Sequence, residues 1–247
     1  MSAPVFLVDP DRAKDASPGS VLALDGPEGR HAAAVQRLRA GEVIQLVDGE
    51  GRRLTGTITE TTKDSCSVEI HTIEDEPEPR PRITAVQAIA KGDRGELAVQ
   101  MLTEAGIDVI VPWQAENSVA KWDGERGVKH HAKWQATARE AAKQARRARV
   151  PIVESPISTA AVADLIANAG VALVLDEQAT TPLTSIDYST AHDVLLVIGP
   201  EGGLSPNERA HFADAGADLV RLGATVLRTS TAGVAALGVV MARVGRW

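Results

Sequence analysis

The chain carries the stretch VLLVIGPEGGLSPNE at residues 194–208, and this stretch decides the fold. Its apolar run Val194–Ile198 is bounded by glycine, which is typical of a strand buried on both faces. A glycine-rich loop, residues 199–203, follows at once. The next residues, Ser205–Glu208, form a capping-box pattern with proline at the first helical position. We therefore expect a helix that runs to about Ala215 and stops at Gly216.

A second turn of the same kind lies 20 residues further on. The sequence predicts a short strand over Asp218–Leu222, followed by Gly223. Leu227–Ala232 then opens a helix of small residues that continues to about Val244. Two turns rich in exposed backbone thus follow two strands. In open α/β sheets, ligands bind at the carboxyl ends of the strands, so the two turns indicate a ligand site. The alternative is that the glycine-rich loop is only a tight strand-to-helix turn without a ligand.

Strands and helices alternate through the whole C-terminal part. Further strands are expected at residues 83–90, 107–111, 150–153 and 171–175, with helices at 96–105, 128–147 and 158–169. Six strands that alternate with helices imply a parallel sheet covered on both faces. The sequence therefore predicts an α/β domain over residues 83–247.

The N-terminal part has a different pattern. Residues 1–73 contain short alternating strands bounded by turn residues, as in a small β-barrel or sandwich, with one helix at about Glu28–Arg37. Residues 74–82 hold three prolines among alternating charges, a composition that stays extended and buries little. We therefore predict a β-rich domain over 1–73, a linker over 74–82, and the α/β domain after it.

Composition excludes several classes of protein. The single cysteine, Cys66, rules out an intramolecular disulfide, fits a reducing compartment and is expected to be buried. The N-terminus does not resemble a signal peptide, and no apolar run is long enough to span a membrane. The glycine fingerprints of dinucleotide-binding and P-loop proteins are missing, as is the nucleophile elbow of hydrolases. The histidines do not cluster with the cysteine, so no metal site is expected.

One basic segment stands out in a chain whose net charge is −7. Residues 139–149 contain five cations and one anion. On a continuous helix, four of these cations share a face: Arg139, Lys143, Arg146 and Arg147. Such a face either contacts RNA or only solubilises the end of a helix. Lys91 and Arg94, expected on a strand-end loop, would extend this basic patch. His31 and Arg37 on the N-terminal helix likewise either contact RNA or only face solvent.

These motifs together resemble one enzyme family. The chain is similar to the bacterial 16S ribosomal RNA (uracil-N3)-methyltransferases of the SPOUT superfamily. The resemblance spans about 200 residues and rests on the motifs Gly199–Gly203, Leu222-Gly223, Leu227–Ala232, Lys91–Glu96, Thr103–Ile107, Glu140–Arg147 and His31–Gly41. The sequence departs from the family at Ser230, where glutamate is common.

The resemblance implies an architecture and a cofactor. It implies a PUA-like β-barrel that binds RNA, followed by a parallel sheet whose C-terminal part forms a trefoil knot. It also implies a homodimer formed through the knot domain, a cytoplasmic location, S-adenosylmethionine as the cofactor, and 16S rRNA or the 30S subunit as the partner, with neither metal nor membrane. The implied cofactor-binding residues are Leu175, Gly199, Pro200, Glu201, Gly202, Gly203, Leu222, Gly223, Leu227, Arg228, Thr229 and Ala232.

The resemblance also suggests residues for the chemistry. A guanidinium can stabilise the negative charge that develops on a uracil as its N3 proton leaves, so Arg228 is the first candidate to orient the base. Glu140 and Gln144 are further candidates near the base. The expected RNA contacts are His31, Arg37, Lys91, Arg94, Arg139, Lys143, Arg146 and Arg147. Two alternatives stay open, a SPOUT methyltransferase for another RNA and an RNA-binding assembly factor without catalysis.

Overall fold

The structure is a computed structural model that describes residues 3–189 and 191–247. The chain divides into two compact units. The first contains the residues up to 78 together with 142–150, and the second contains residues 79–141 and 151–247. This division differs from the predicted domain bounds, because the short segment 142–150 lies with the β-rich unit although it is distant in sequence.

The first unit is built on a five-stranded sheet. Its strands are β1 (Val5–Leu7), β2 (Val21–Leu24), β3 (Val43–Val47), β4 (Arg52–Thr61) and β5 (Cys66–Asp75). They lie in the order β1-β3-β4-β5-β2, with β1 parallel to β3 and the other pairs antiparallel. Alternate residues of the strands point into one apolar core that includes Phe6, Ile44, Leu54, Val68 and Cys66. The expectation that Cys66 is buried is thus confirmed.

Two short helices and one π-helical turn complete this unit. Helix α1 covers Pro10–Lys14, helix α2 covers Gly26–Arg30, and the π turn covers His31–Val35. The single helix predicted over 28–37 therefore begins two residues earlier, at Gly26, and changes from an α-helix to a π-helix at His31. The π turn ends at Val35, and Arg37, whose φ of 56° is left-handed, follows it before the turn at Gly41.

The predicted linker is partly structured. Strand β5 extends to Asp75, and the side chain of Glu76 accepts hydrogen bonds from Arg53 at 2.6 and 3.1 Å. The Glu76 carbonyl accepts a further bond from Arg149 Nη2 at 2.6 Å. The first half of the segment is therefore fixed to the β-rich unit, and the next strand begins only at Arg82.

The second unit is an α/β structure with an all-parallel sheet. Its strands are β6 (Arg82–Ala88), β7 (Val109–Gln114), β8 (Ile152–Val153), β9 (Ile157–Ser158), β10 (Val171–Leu175), β11 (Thr181–Pro182), β12 (Asp193–Ile198) and β13 (Asp218–Arg221). They lie in the order β11-β13-β10-β12-β6-β7-β8, and β9 also pairs with β7. The predicted parallel sheet is thus confirmed, with two additional two-residue strands.

Helices cover both faces of this sheet. They are α3 (Arg94–Glu104), α4 (Gly124–Gln144), α5 (Thr159–Asn168), α6 (Pro206–Asp214) and α7 (Thr229–Arg243), with a 3-10 turn at Leu183–Ser185. Leu102 of α3 and Leu237 of α7 belong to the apolar cluster on one face, and Ile166 of α5 and Phe212 of α6 belong to the cluster on the other. Full burial of each such side chain contributes about 1.5–3 kcal/mol. No helix within the described residues is both long enough and apolar enough to cross a membrane.

The end of helix α4 corrects the prediction for the basic segment. The helix stops at Gln144, and Arg146 has a left-handed φ of 56°. The Arg147 N–H donates to the carbonyl of Ala142, and the Arg146 N–H to that of Lys143, at 2.9 and 3.0 Å. This pair of bonds is the Schellman helix end. Because the chain turns here, the four predicted cations do not share one helix face.

Candidate active site

The site is formed where three neighbouring parallel strands end. Strands β10, β12 and β13 are adjacent, with Leu175 opposite both Ile198 and Val220 in register. Their carboxyl ends therefore open onto the same edge of the sheet. A cavity of about 580 Å³ lies at this edge. Ligand pockets of small molecules commonly have this size.

The first wall is the glycine-rich loop between β12 and α6. The predicted capping box is present, since Ser205 Oγ accepts from the Glu208 N–H and the Glu208 carboxylate accepts from the Ser205 N–H. Glu208 is only 2% exposed and also accepts from the Glu116 N–H at 2.8 Å. Gly203 has a φ of +72°, a conformation that glycine adopts without strain. The start of α6 therefore holds the loop in a defined shape.

The second wall is the turn before α7. Arg228 is the N-cap residue of α7, and its carbonyl accepts from the N–H of Ala232 at 2.8 Å. The next residue, Thr229, donates its hydroxyl hydrogen to the Gly199 carbonyl at 2.8 Å. One hydrogen bond thus joins the two turns that the sequence predicted to form a common site.

The third wall follows strand β10 and includes residues that the sequence analysis did not assign. Asp176 and Gln178 come directly after the strand, and Arg209 projects from α6. Arg209 Nη2 lies 2.9 Å from Asp176 Oδ2, with the Asp176 side chain 6% exposed. The Asp176 N–H also donates to the Val220 carbonyl at 2.9 Å. The signal available in the sequence was the position of Asp176 at the carboxyl end of a predicted parallel strand.

The structure brings all the predicted cofactor-binding residues together. All twelve line this one cavity, together with further residues such as Leu204, Arg221 and Val226. The side chain of Arg228 is exposed, and among the described residues its guanidinium has no hydrogen bond or ion pair. Its cation is therefore available to a molecule that enters the cavity.

The other two predicted catalytic residues lie elsewhere. Glu140 and Gln144 are exposed on the last turns of α4 and are not among the residues that line the cavity. Of the three predicted catalytic residues, the described cavity lining thus includes Arg228 alone.

The predicted RNA contacts separate into three places. Lys91 and Arg94 adjoin the cavity, since the Lys91 N–H donates to Glu201 Oε1 at 3.1 Å and Arg94 Nη1 lies 3.9 Å from the same oxygen. Arg139 is exposed on α4. The remaining predicted contacts lie in the β-rich unit, and they are His31, Arg37, Lys143, Arg146 and Arg147.

The placement of Lys143 contradicts its predicted role. Its side chain is 6% exposed, and Lys143 Nζ lies 2.7 Å from Glu28 Oε1. Glu28 Oε2 also accepts from the Leu7 N–H at 3.3 Å. The ammonium group is thus buried against this carboxylate and does not face solvent. Arg37 and Arg146 are exposed, and His31 is half-buried with its ring edge-on to Phe6.

No metal cluster accompanies the cavity. In residues 3–189 and 191–247, no three His, Cys, Asp or Glu side chains lie close enough together to hold a metal ion.

Comparison with known proteins gives matches over both units. The model of the RNA methyltransferase domain family matches residues 76–241, and that of the RNA methyltransferase PUA domain matches residues 24–70. Ribosomal RNA small subunit methyltransferase E of Mycobacterium bovis is 43% identical over 253 residues, which cover 100% of this chain and 94% of that protein.

Solved structures agree with this match. Ribosomal RNA small subunit methyltransferase E of Neisseria gonorrhoeae, bound to S-adenosyl methionine, is 28% identical with a TM-score of 0.85, over 98% of both chains. A Legionella pneumophila protein solved in complex with the bound cofactor SAM is also 28% identical, with a TM-score of 0.87, again over 98% of both chains.

Proposed function

Because this chain belongs to the RNA methyltransferase family, we propose that it transfers a methyl group from S-adenosylmethionine to N3 of a uridine in 16S ribosomal RNA. One observation carries the proposal. The two glycine-containing turns meet at the carboxyl ends of β10, β12 and β13, and Thr229 joins them around one cavity. The small-subunit rRNA methyltransferase E from Neisseria gonorrhoeae, a relative with the same fold, is bound to this cofactor.

The residues of the cavity fit the cofactor. A side chain added at Gly203 or Gly223 would meet no protein atom within 4 Å, so glycine leaves open space at these two positions of the lining. The loop 199–203 and the turn at Leu222-Gly223 expose backbone groups that can read the edge of an adenine. When bound there, S-adenosylmethionine supplies an activated methyl group on its sulfonium.

Arg228 is proposed to act on the acceptor base. Its backbone is fixed at the start of α7, whereas its guanidinium is exposed at the cavity. As the uracil loses its N3 proton, negative charge spreads to O2 and O4. The planar, permanently charged guanidinium can donate two hydrogen bonds side by side to such oxygens and stabilise this charge.

Glu140 and Gln144 are proposed to reach the base from a second copy of the chain. The family resemblance implies a homodimer with its active site between subunits, and neither residue lines the cavity of its own chain. Exposed apolar side chains in the C-terminal part, among them Val226 and Trp247, provide surface that the interface of such a dimer could bury. The trefoil knot and the cytoplasmic location are proposals that rest on the same resemblance.

RNA would be positioned by cations outside the cavity. Lys91 and Arg94 adjoin the glycine-rich loop through Glu201, so they are the proposed phosphate contacts nearest the reacting base. Arg37, Arg139, Arg146 and Arg147, with His31, are proposed to contact the RNA elsewhere. Contacts of this kind position the nucleic acid and do not specify its sequence.

The function is tested by methyl transfer. Purified protein, radiolabelled S-adenosylmethionine and 30S particles that lack the modification should give label in 16S rRNA, whereas 50S particles should stay unlabelled. Transfer to another RNA in place of 16S rRNA would indicate a methyltransferase of different substrate. No transfer to any RNA, together with no binding of the cofactor by calorimetry, would indicate an RNA-binding protein without catalysis.

A further inference from the structure

Gln87 is a buried amide in the middle of the parallel sheet. It lies on β6, opposite Ile198 of β12 on one side and Pro112 of β7 on the other, and its side chain is 0% exposed. Its neighbours Val86 and Ala88 are apolar and equally buried. Strands buried on both faces of a parallel sheet are normally apolar throughout, so this polar side chain needs a specific cause.

The amide begins a chain of hydrogen bonds that ends at the cavity. Gln87 Nε2 donates to Thr229 Oγ1 at 3.0 Å and to the Ala88 carbonyl at 3.2 Å. The Thr229 hydroxyl donates in turn to the Gly199 carbonyl at 2.8 Å. Because a hydroxyl has a single hydrogen, Thr229 can make both bonds only if a donor such as the amide supplies the other one. Gly199 and Thr229 line the cavity, but Gln87 does not.

Stability does not explain why an amide stands at this position. Gln87 Oε1 is buried and has no hydrogen-bond partner among the described residues. A buried acceptor without a partner destabilises the folded state. A methionine, which is also unbranched and of similar length, would avoid this cost and suit an apolar sheet. The benefit of the glutamine therefore lies in the hydrogen bond that its nitrogen donates to Thr229, which in turn donates to the Gly199 carbonyl.

We propose that Gln87 is a positioning residue for the cofactor. Through Thr229 it fixes the direction of the Gly199 carbonyl and joins the two turns before a ligand enters. The inference rests on the proposed function, because it assumes that S-adenosylmethionine occupies this cavity. A site that is ordered in advance loses less conformational freedom on binding, so breaking the hydrogen-bond chain weakens the binding of the cofactor.

The variant Gln87→Met separates this role from a structural one. We expect its dissociation constant for S-adenosylmethionine, measured by calorimetry, to rise roughly tenfold, while its melting temperature without cofactor stays equal or increases. A residue that only supports the fold would give the opposite pattern, a lower melting temperature with unchanged affinity, and that result would overturn the inference.

Variants of Thr229 provide the second test. Thr229→Ser keeps the hydroxyl and should bind the cofactor nearly as the wild type does, whereas Thr229→Val should bind more weakly. In the Thr229→Val background, Gln87→Met should change the affinity by less than about twofold, because the hydrogen bonds that link Gln87 to Gly199 are already lost. Additive losses of affinity in the double variant would contradict a role of Gln87 that acts through Thr229.

The failure of this inference can be told apart from the failure of the proposed function. If the wild type itself does not bind S-adenosylmethionine, the proposed function fails. If the wild type binds it and Gln87→Met binds it equally well, only this inference fails.

Discussion

Arg228 has a fixed backbone at the start of α7, and within the described part of the chain its guanidinium makes no hydrogen bond or ion pair. We expect Arg228→Ala to lower the rate of methyl transfer on the order of a hundredfold, the usual effect of removing one donor to developing charge. The affinity for S-adenosylmethionine should change little. Single-turnover transfer to 30S particles and calorimetry with the cofactor measure the two effects separately.

The variant Arg228→Lys is the matched control for charge. This variant keeps the positive charge but loses the planar guanidinium with its paired N–H donors. Its rate of methyl transfer should therefore lie between those of the wild type and Arg228→Ala. A weaker affinity for the cofactor with an unchanged transfer rate would assign Arg228 to the cofactor pocket and contradict its role on the base.

Tyr188 gives a prediction about pH and stability. It is the single tyrosine of the chain, it is 7% exposed, and its hydroxyl has no hydrogen-bond partner within residues 3–189 and 191–247. Burial raises the pKa of Tyr188 from 10.0 to about 12, although the nearby Arg243 opposes the shift. Between these pH values the folded protein keeps a proton that the unfolded chain loses, so the free energy of unfolding falls as the pH rises.

Spectroscopic titration of the phenolate measures this shift directly, because no other tyrosine contributes. The midpoint should lie near 12 in the folded protein, and a native midpoint near 10 would contradict the burial. Tyr188→Phe removes the unpaired hydroxyl, so its free energy of unfolding at neutral pH should rise by about 1 kcal/mol. The wild type should become less stable above pH 10 as the tyrosine of the unfolded chain ionises, and this decrease should be absent in Tyr188→Phe.

At the scale of elements, the glycine-rich loop can be tested with a matched pair of glycines. Gly203 and Gly216 have φ values of +72° and +102°, and a Cβ at either would meet no atom within 4 Å. Gly203→Ala and Gly216→Ala should each lower the free energy of unfolding by about 1 kcal/mol, the cost of placing alanine in this conformation.

The two variants should differ in their binding of the cofactor. Gly203 lines the cavity and Gly216 does not, so only Gly203→Ala should weaken binding of S-adenosylmethionine, by roughly tenfold. Denaturant unfolding and calorimetry on both variants check this. Equal affinities in the two variants would show that the loop conformation does not matter for the cofactor.

Elements with strong local signals could be predicted from the sequence, and others could not. The strand, loop and helix from Val194 to Asp214 follow from an apolar run, glycines and a capping box that all lie within 21 residues. The end of α4 was missed, because Arg146 occupies a left-handed position that usually holds glycine, and a helix-period pattern continues past it. The burial of Lys143 was also missed, since its partner Glu28 is 115 residues away in sequence.

At the scale of the whole molecule, the missing information was the order of the strands. The sequence predicts six alternating strands, but not that β10 lies between β12 and β13. That order places Asp176 and Arg209 at the wall of the cavity and Gln87 beside Ile198, so none of the three was assigned in advance. The resemblance to a family predicted residues that line this cavity, because its motifs mark the two turns. It did not indicate the interactions that hold those turns in place.

The proposed reaction of this chain is methylation of N3 of a uridine in 16S rRNA. The most direct measurement is mass spectrometry of nucleosides from 16S rRNA, after 30S particles that lack the modification have reacted with the protein and isotopically labelled S-adenosylmethionine. We expect a single labelled product, 3-methyluridine, which the Arg228→Ala variant forms far more slowly. Label in any other nucleoside, or none in 16S rRNA, would contradict it.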